Sequence, residues 1–409
     1  MRKVVGIASR KFEDYKPFLS VEDSEEIKRI SKVLKGKKIG MYSATSFGGG
    51  VAEILQSMIP LMRDLGIDVE WEVLEADNSF FNITKKMHNG LQGHEGYLTR
   101  EEKELYLRVN EENAKSTNVD LYDIVVVHDP QPIPMIEYSK DKKCKWIWRC
   151  HIDTSNANPA YWDFIFSFMK KYDATIFTMK DFIKETYGLS KVVLIPPSID
   201  PLSEKNRELS ESEISEVFRH YDVDMSKPML VQVSRFDPWK DPIGVVDIYR
   251  RLKEDFDIQL AMIGSMASDD PEGWLFYDRL LRHVGEDFDV KVLTNFNGVG
   301  AYEVNAFQRG AFIVLQKSIK EGFGLTVTEG LWKERPVIGG NVGGITLQIE
   351  DGVNGYLVNN SDEAYERTKY LLLHPEEALK LGKNGKEYVK KKFLITRHMM
   401  DYLRLFVSL

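Results

Sequence analysis

The sequence predicts an α/β protein built from two Rossmann-like domains, each with a parallel sheet. Short apolar runs alternate with helical patterns along almost the whole chain, which is typical of parallel strands joined by helices. The 409 residues are enough for two domains of about 200 residues, each with its own core. The stiff, proline-rich segment 196–201 lies near the middle, and we therefore divide the chain into domains 1–197 and 198–390.

Composition narrows the classes of function. The chain is 43% hydrophobic and 29% charged, as expected for a globular, soluble protein. A net charge of −8 argues against nucleic acid or an anionic membrane as partner. We see no leader and no long apolar run, and expect a cytoplasmic protein. Cys144 and Cys150 fit reduced core thiols better than a disulfide. Abundant Lys and Glu with little Gln hint at a thermophilic source.

The first domain begins with an acidic and basic lead-in, residues 1–36, that contains a helical stretch and has no assignable role. The first strand, 38–43, leads into a glycine loop and then a helix from Val51. A long helical region is predicted at 79–115. Further strands are predicted at 67–74, 124–127, 146–150, 175–178 and 192–195.

The second domain repeats the alternation of strand and helix. Strands are predicted at 229–233, 259–263, 290–293, 311–316, 336–338 and 356–358. Helical patterns fill the intervals, so a second parallel sheet follows. The final segment, 391–409, is rich in apolar and aromatic residues.

The glycine loop holds three adjacent glycines, Gly48, Gly49 and Gly50, between a strand and a helix. Glycines at this point let the backbone approach a phosphate or a sugar closely. The loop lacks the dinucleotide-binding fingerprint, and a purely structural turn remains an equal alternative.

Polar side chains follow two strands of the first domain. His128 and Asp129 come directly after one strand, and His151 and Asp153 follow the next. Such residues lie at the edge of the sheet where open α/β sheets bind ligands. A zinc site is one interpretation, but neither closely spaced Cys and His ligands nor a His-Glu-x-x-His helix is present. We favour recognition of sugar hydroxyls and predict no metal ligands.

The strongest signal is the stretch from Glu321 to Glu329, EGFGLTVTE, which follows a predicted strand and opens a helix. Gly322 and Gly324 allow a sharp turn, and the first amides of the helix suit an anion. On a continuous helix the two glutamates would lie about 12 Å apart along the axis. This exceeds the roughly 5 to 9.5 Å of a hydrolytic carboxylate pair, so two separate binding roles are favoured.

Positive charge comes from the segment SRFDPWK, which holds Arg235 and Lys240 and follows the apolar run 229–233. Both side chains therefore leave the carboxyl end of a buried strand. The planar fork of Arg and the mobile charge of Lys together suit a diphosphate. The alternative is two solvated loop cations.

Together, SRFDPWK and EGFGLTVTE resemble the retaining nucleotide-sugar glycosyltransferases of family 4, which have the GT-B fold of two Rossmann-like domains facing across a cleft. The resemblance extends over nearly the whole chain, through SFGGGVAEIL, VHDPQP, WRCHID and VNAFQR. It implies that residues 391–409 cross back to brace the first domain. It also implies that the first domain binds the acceptor and the second the nucleotide-sugar donor.

The resemblance implies roles residue by residue. Glu329 would bind the ribose, Arg235 and Lys240 the diphosphate, and Glu321 the donor glucose. His151 would donate a hydrogen bond to a donor hydroxyl. The remaining donor contacts would come from Gly322, Phe323, Gly324, Leu325, Thr326, Gly49 and Gly50. The acceptor contacts would come from Gly48, His128, Asp129 and Asp153.

The implied reaction transfers glucose from a nucleoside-diphosphate glucose (ADP-, UDP- or GDP-glucose) to free glucose. The first domain offers no basic cluster for a phosphorylated acceptor, because Arg149 is the nearest cation and one residue rarely makes a phosphate site. No cofactor or protein-bound metal is needed, although Mg²⁺ could accompany the diphosphate. A phosphorylase of the same family, using inorganic phosphate, is the first alternative. A sugar-nucleotide sensor without turnover is the second. The sequence leaves the base, the direction of the reaction in the cell and a homodimer open.

Overall fold

The structure is a computed structural model that describes residues 1–47, 49–138, 144–184, 186–266 and 271–409, with the backbone alone at residues 271 and 272. The chain forms two compact units, one of Met1–Pro197 with Ile395–Leu409 and one of Ser198–Leu394. The chain passes from the first unit to the second after Pro197, inside the proline-rich segment, and returns after Leu394. This return lies a few residues after the predicted position 391, because Lys391 and Lys392 still belong to a helix of the second unit.

The first unit is built on a seven-stranded sheet. Its strands are β1 (Arg2–Lys3), β2 (Lys38–Ser43), β3 (Asp68–Val73), β4 (Ile124–His128), β5 (Lys145–Arg149), β6 (Ala174–Phe177) and β7 (Val192–Leu194). Its α-helices are α1 (Val21–Val33), α2 (Gly50–Asp64), α3 (Asn78–Leu91), α4 (Arg100–Ser116), α5 (Pro159–Met169) and α13 (Ile395–Val407). The strand order is β1-β3-β2-β4-β5-β6-β7, and β2 to β7 are parallel.

Two features of this unit differ from the prediction. The helical region 79–115 is two helices, because the connecting segment contains Gly93 and Gly96 at φ of 100° and 122°. Thr99 then caps α4 in a capping box with Glu102. The lead-in supplies the edge strand β1, which pairs antiparallel with β3. Two residues are too few to give a periodic signal in sequence.

The last helix belongs to the first unit. Helix α13 packs against α1 and α2. Arg404 Nη2 lies 2.7 Å from Glu26 Oε2 of α1, and Lys191 donates to Ser408. The terminal segment thus packs against helices of the first unit.

The second unit has a six-stranded parallel sheet. Its strands are β8 (Met229–Val233), β9 (Gln259–Gly264), β10 (Val290–Thr294), β11 (Ile313–Gln316), β12 (Val337–Gly340) and β13 (Gly355–Val358), in the order β10-β9-β8-β11-β12-β13. Its α-helices are α6 (Glu211–His220), α7 (Pro242–Lys253), α8 (Pro271–Val284), α9 (Ala301–Gly310), α10 (Leu325–Trp332), α11 (Ser361–Leu373) and α12 (Pro375–Lys392).

The core of the second unit explains why β8 and β11 read as apolar runs. Leu230, Leu260, Ile313 and Ile338 are fully buried in one hydrophobic cluster of this unit. Strands β8 and β11 are neighbours in this sheet. Residues that follow their carboxyl ends therefore lie at the same edge.

The remaining expectations concern chemistry and compartment. Cys144 and Cys150 are both buried in the first unit, as expected for core residues. Across the described residues, no helix is both long and apolar enough to cross a membrane.

Candidate active site

Lys240 and Glu321 form an ion pair at the shared edge of β8 and β11. Lys240 Nζ lies 2.5 Å from Glu321 Oε2, and the two side chains are only 14% and 11% exposed. Ser318 Oγ donates to the same carboxylate oxygen over 3.2 Å. The structure thus brings together two residues that the sequence analysis selected from separate motifs.

The loop after β8 fixes the backbone of Lys240. The segment Pro238–Lys240 is a 3-10 helix, capped by Asp237, which accepts from the backbone N–H of Trp239 over 3.0 Å. Asp241 then takes the left-handed conformation, with φ of 47°, and caps α7. Gln232 Nε2 donates to the carbonyl oxygen of Lys240 over 2.7 Å. These hydrogen bonds hold the backbone of Lys240 in place, and its side chain extends from this turn.

The glycine turn after β11 leads into α10. Gly324 has φ of 81° and forms the amino cap, a conformation that favours glycine. Thr326 Oγ1 donates to the carbonyl oxygen of Val233 over 2.9 Å, which ties α10 to β8. The N–H groups of Leu325 and Thr326 begin the helix and have no intrahelical acceptor, so they can bind an anion.

Two predicted members of this turn differ in what they can offer a ligand. The Phe323 side chain is buried against Phe393, with ring centroids 5.5 Å apart. Only its backbone can therefore face a ligand. Gly322 packs closely against Gly344, because a Cβ added at Gly344 would lie only 2.5 Å from the carbonyl oxygen of Gly322.

Arg235 lies on the same loop as Lys240, but its charge is in solvent. Its side chain is 71% exposed, and its guanidinium lies 3.3 Å from the carboxylate of Asp237. Arg235 is thus placed near the predicted site without the buried pairing that Lys240 has.

Glu329, the second glutamate of the motif, has its own surroundings. Its side chain is 0% exposed; Lys205 Nζ lies 2.8 Å from Oε1, and Gln308 Nε2 donates to Oε2 over 3.0 Å. Glu321 precedes α10 rather than lying on it, so the 12 Å separation expected for a continuous helix does not apply. The two carboxylates have different partners, in line with two separate roles.

The charge state of Glu329 follows from these neighbours. Burial alone would raise the pKa of Glu329, but the positive charges of Lys205 and Lys333 outweigh it and hold that pKa below its ordinary value. Burial also lowers the pKa of Lys333 to about 7, against the attraction of Glu329. Glu329 is therefore a charged acceptor at neutral pH.

In the first unit, the polar residues after β4 and β5 form a buried cluster. His128 Nδ1 lies 3.1 Å from His151 Nε2, and the two rings stack with centroids 5.4 Å apart. Asp129, in the left-handed region with φ of 64°, accepts from the backbone N–H of His151 over 2.8 Å. Trp148 Nε1 donates to the carbonyl oxygen of Asp129. Asp129 therefore fixes the chain at His151.

The electrostatics of this cluster keep the imidazoles neutral. Burial, reinforced by Arg149, lowers the pKa of His128 to about 3 and lowers the pKa of His151 as well. Burial raises the pKa of Asp129 to about 6. A neutral imidazole has one donor and one acceptor nitrogen. With Nε2 of His151 engaged by His128, Nδ1 is the ring nitrogen left to bind a ligand.

The other residues predicted in this unit are placed as follows. Asp153 Oδ1 accepts from the N–H and the Oγ of Ser155, so its carboxylate closes a local turn. Gly49 caps α2 with φ of 83°, and Gly50 is the first residue of that helix. Gly48 lies outside the described residues. Throughout the described part of the chain, no three His, Cys, Asp or Glu side chains are arranged to hold a metal.

Sequence reasoning missed several residues of the second unit. Lys317 and Ser318 follow β11 directly; Lys317 pairs with Asp241, and Ser318 binds Glu321. Their position after a buried strand was the available signal. Lys205 and Lys333 surround Glu329, but nothing local in sequence marks them.

The comparisons with known proteins agree with this architecture. Residues 41–184 match a family model described as trehalose synthase, N-terminal domain, and residues 213–388 match one described as glycosyl transferases group 1. The chain is similar to the trehalose synthase of Thermococcus litoralis, with 52% identity over 405 residues and 98% of each chain covered. It is 29% identical to the trehalose phosphorylase of Grifola frondosa, over 84% of this chain and 53% of that one.

A solved structure shows the same fold. The sucrose-phosphate synthase of Thermosynechococcus elongatus matches with a TM-score of 0.72 and 15% identity, over 91% of this chain and 98% of that one. The two Rossmann-like units and this likeness confirm the predicted GT-B fold class, and the match to the glycosyl transferases group 1 model makes the chain a glycosyltransferase. Within that class, the chain belongs to the trehalose synthase family.

Proposed function

We propose that this enzyme makes trehalose, reversibly and with retention at the anomeric carbon, from a nucleoside-diphosphate glucose and free glucose. The observation that carries the proposal is the buried pair of Lys240 and Glu321 beside the start of α10. It sets a cation and unpaired backbone amides, which suit a diphosphate, next to a carboxylate that suits sugar hydroxyls. The similarity to a trehalose synthase over the full chain supports the same reaction.

The chemistry assigned to the second unit is stabilisation of the leaving group. As the bond between the glucose C1 and the diphosphate oxygen breaks, negative charge grows on the diphosphate, and Lys240 and the amides of Leu325 and Thr326 oppose it. The acceptor oxygen bonds to C1 on the same face, and its proton passes to the leaving phosphate oxygen. No protein nucleophile takes part. Because Lys240 and the helix start already supply positive charge, no protein-bound metal is proposed.

The donor contacts are assigned to the motif residues. Glu329 is charged and buried, as a strong acceptor for two ribose hydroxyls should be. Glu321, held by Lys240 and Ser318, is assigned to hydroxyls of the donor glucose. Arg235, mostly exposed, is assigned to the diphosphate and must leave solvent to reach it.

The first unit is assigned to sugar recognition. His151 offers a neutral imidazole nitrogen, which can exchange a hydrogen bond with a hydroxyl. We assign the acceptor to His128, Asp129 and Gly48, and Asp153 joins them only if its turn with Ser155 opens. Arg149 is fully buried, so it presents no charge at the surface for a phosphorylated acceptor. Free glucose is therefore the proposed acceptor.

A trehalose phosphorylase is the second candidate, because the chain also aligns with one from Grifola frondosa. Glu329 favours the synthase, because a reaction with inorganic phosphate has no ribose for this carboxylate to bind. The reverse reaction separates the two. Trehalose is incubated with ADP, GDP or UDP in one series and with inorganic phosphate in another. Nucleotide-glucose formed only in the first series supports the synthase. Glucose 1-phosphate formed in the second would establish the phosphorylase instead.

A further inference from the structure

Glu329 is enclosed by its partners, and among them Lys205 is the one with appreciable exposure. Gln308 and Glu329 are 0% exposed and Lys333 is 2% exposed. Lys205, at 22% side-chain exposure, is the partner that reaches the surface. Lys205 is therefore the partner of Glu329 that a ligand in solvent can contact.

The two carboxylate oxygens of Glu329 are not equally satisfied. Oε2 accepts a hydrogen bond from Gln308 over 3.0 Å. Oε1 is in an ion pair with Lys205 at 2.8 Å, but it accepts no hydrogen bond of ordinary geometry from the described residues. Buried carboxylate oxygens are normally well satisfied, so Oε1 has capacity for a further donor.

Other hydrogen bonds around Glu329 do not involve Lys205. Lys333 Nζ donates to Gln308 Oε1 over 2.7 Å and to Asn206 Oδ1 over 2.9 Å, and these hydrogen bonds do not involve Lys205. The backbone next to Lys205 is fixed, because the carbonyl oxygen of Asn206 accepts from Trp332 and Arg309. The proposed movement therefore involves the Lys205 side chain and not this backbone.

We propose that Lys205 is a gate on the ribose site: it neutralises Glu329 Oε1 while the donor site is empty, and the ribose hydroxyls of the donor replace it there. This inference rests on the proposed role of Glu329 in binding ribose. The gate lowers the affinity for nucleotide, because binding must first break a largely buried ion pair. The gate also favours ligands with ribose hydroxyls, because only these can donate hydrogen bonds to Glu329 Oε1 in place of Lys205.

The test compares nucleotides with and without those hydroxyls. Calorimetry measures the binding of ADP, GDP and UDP, and of the 2′,3′-dideoxy form of each, to the full chain and to Lys205→Met. Lys205→Gln is measured in parallel, because it keeps a donor at this position without the charge. Lys380→Met, at a mostly exposed lysine of α12, is the matched control. Thermal unfolding shows that each variant is folded.

The gate predicts that Lys205→Met binds the preferred nucleotide about threefold to tenfold more tightly, with little change for its dideoxy form and none in the control. Lys205→Gln should fall between Lys205→Met and the unmodified protein. Unchanged or weaker binding of the nucleotide by Lys205→Met would overturn the gate and leave the proposed function standing. A protein that binds none of the three nucleotides would overturn both.

Discussion

Lys240 Nζ and Glu321 Oε2 lie 2.5 Å apart, although 81 positions separate the two residues in the chain. The pair joins the loop after β8 to the loop after β11, and both side chains are largely buried. A largely buried cation is effective against charge that grows in a transition state, because water does not screen it. Lys240 should therefore act mainly on turnover.

Lys240→Ala is expected to lower kcat by about 10²- to 10³-fold, the range measured when one preorganised donor to developing charge is removed. Initial rates at saturating donor and acceptor give the change, and circular dichroism shows that the fold survives. Lys380→Ala is the control for loss of a lysine. Near-normal turnover in a folded Lys240→Ala protein would rule out the assigned role.

Glu329→Gln should weaken binding of nucleoside diphosphate by about 1.5 to 3 kcal/mol, because hydrogen bonds to a charged group are lost. Binding of glucose should change little. Isothermal titration with each ligand measures both effects, and Glu366→Gln, at an exposed glutamate of α11, serves as the control. Unaltered nucleotide affinity would remove Glu329 from the ribose site.

Acid should destabilise the first unit through its buried histidines. The unfolded chain binds a proton at His128 near pH 6.5, but the folded chain does so only near pH 3. The unfolded state therefore binds more protons between these values, and stability falls as the pH drops below 6.5. Burial lowers the pKa of His151 and of His398 in the same direction. Asp129, with its pKa raised to about 6, opposes them in the window down to its ordinary value.

The buried state of His128 alone should lower the free energy of unfolding by about 2 kcal/mol between pH 7.5 and pH 5. His128→Gln should therefore lose about that much less unfolding free energy between the two pH values, measured by urea denaturation. His220→Gln, at an exposed histidine of α6, should behave as the unmodified protein does. An equal loss in His128→Gln and in the unmodified protein would contradict the neutral, buried state of His128.

Gly340 supports the site from β12. A Cβ added at Gly340 would lie 2.1 Å from the backbone oxygen of Ser318, whose hydroxyl binds Glu321. Gly340→Ala should lower the unfolding free energy by about 1 to 3 kcal/mol and reduce activity, because Ser318 must shift. Gly300→Ala is the control, since its nearest neighbour is the flexible carboxylate of Glu303 at 3.3 Å. Equal unfolding free energies for Gly340→Ala and Gly300→Ala would contradict this prediction.

Most strands and helices were predictable from local sequence patterns. β2 and β8 have the predicted bounds because they are mostly apolar and nearly all their residues are buried, on both faces of the sheet. The edge strand β1 was not predicted because it is only two residues long. The division between α3 and α4 was not predicted because it depends on two glycines in a short connecting segment.

The site was predictable in its motifs but not in its pairings. Glycines and charged residues after apolar runs identified Lys240, Glu321 and Glu329. The partner of Glu329, Lys205, lies far away in sequence and is brought near only by the fold. Burial also decides between equivalent residues: Lys240 is enclosed, whereas Arg235, five positions earlier, is in solvent. No local pattern gives that distinction.

The most direct test of the proposed reaction is to identify its product. Nucleotide-glucose, with each base in turn, is incubated with ¹³C-labelled glucose or with labelled glucose 6-phosphate, and the sugars are followed by NMR. The account predicts α,α-trehalose and nucleoside diphosphate, formed faster from glucose than from glucose 6-phosphate. A clear preference for glucose 6-phosphate would contradict the acceptor assignment, and no transfer from any nucleotide-glucose would contradict the reaction itself.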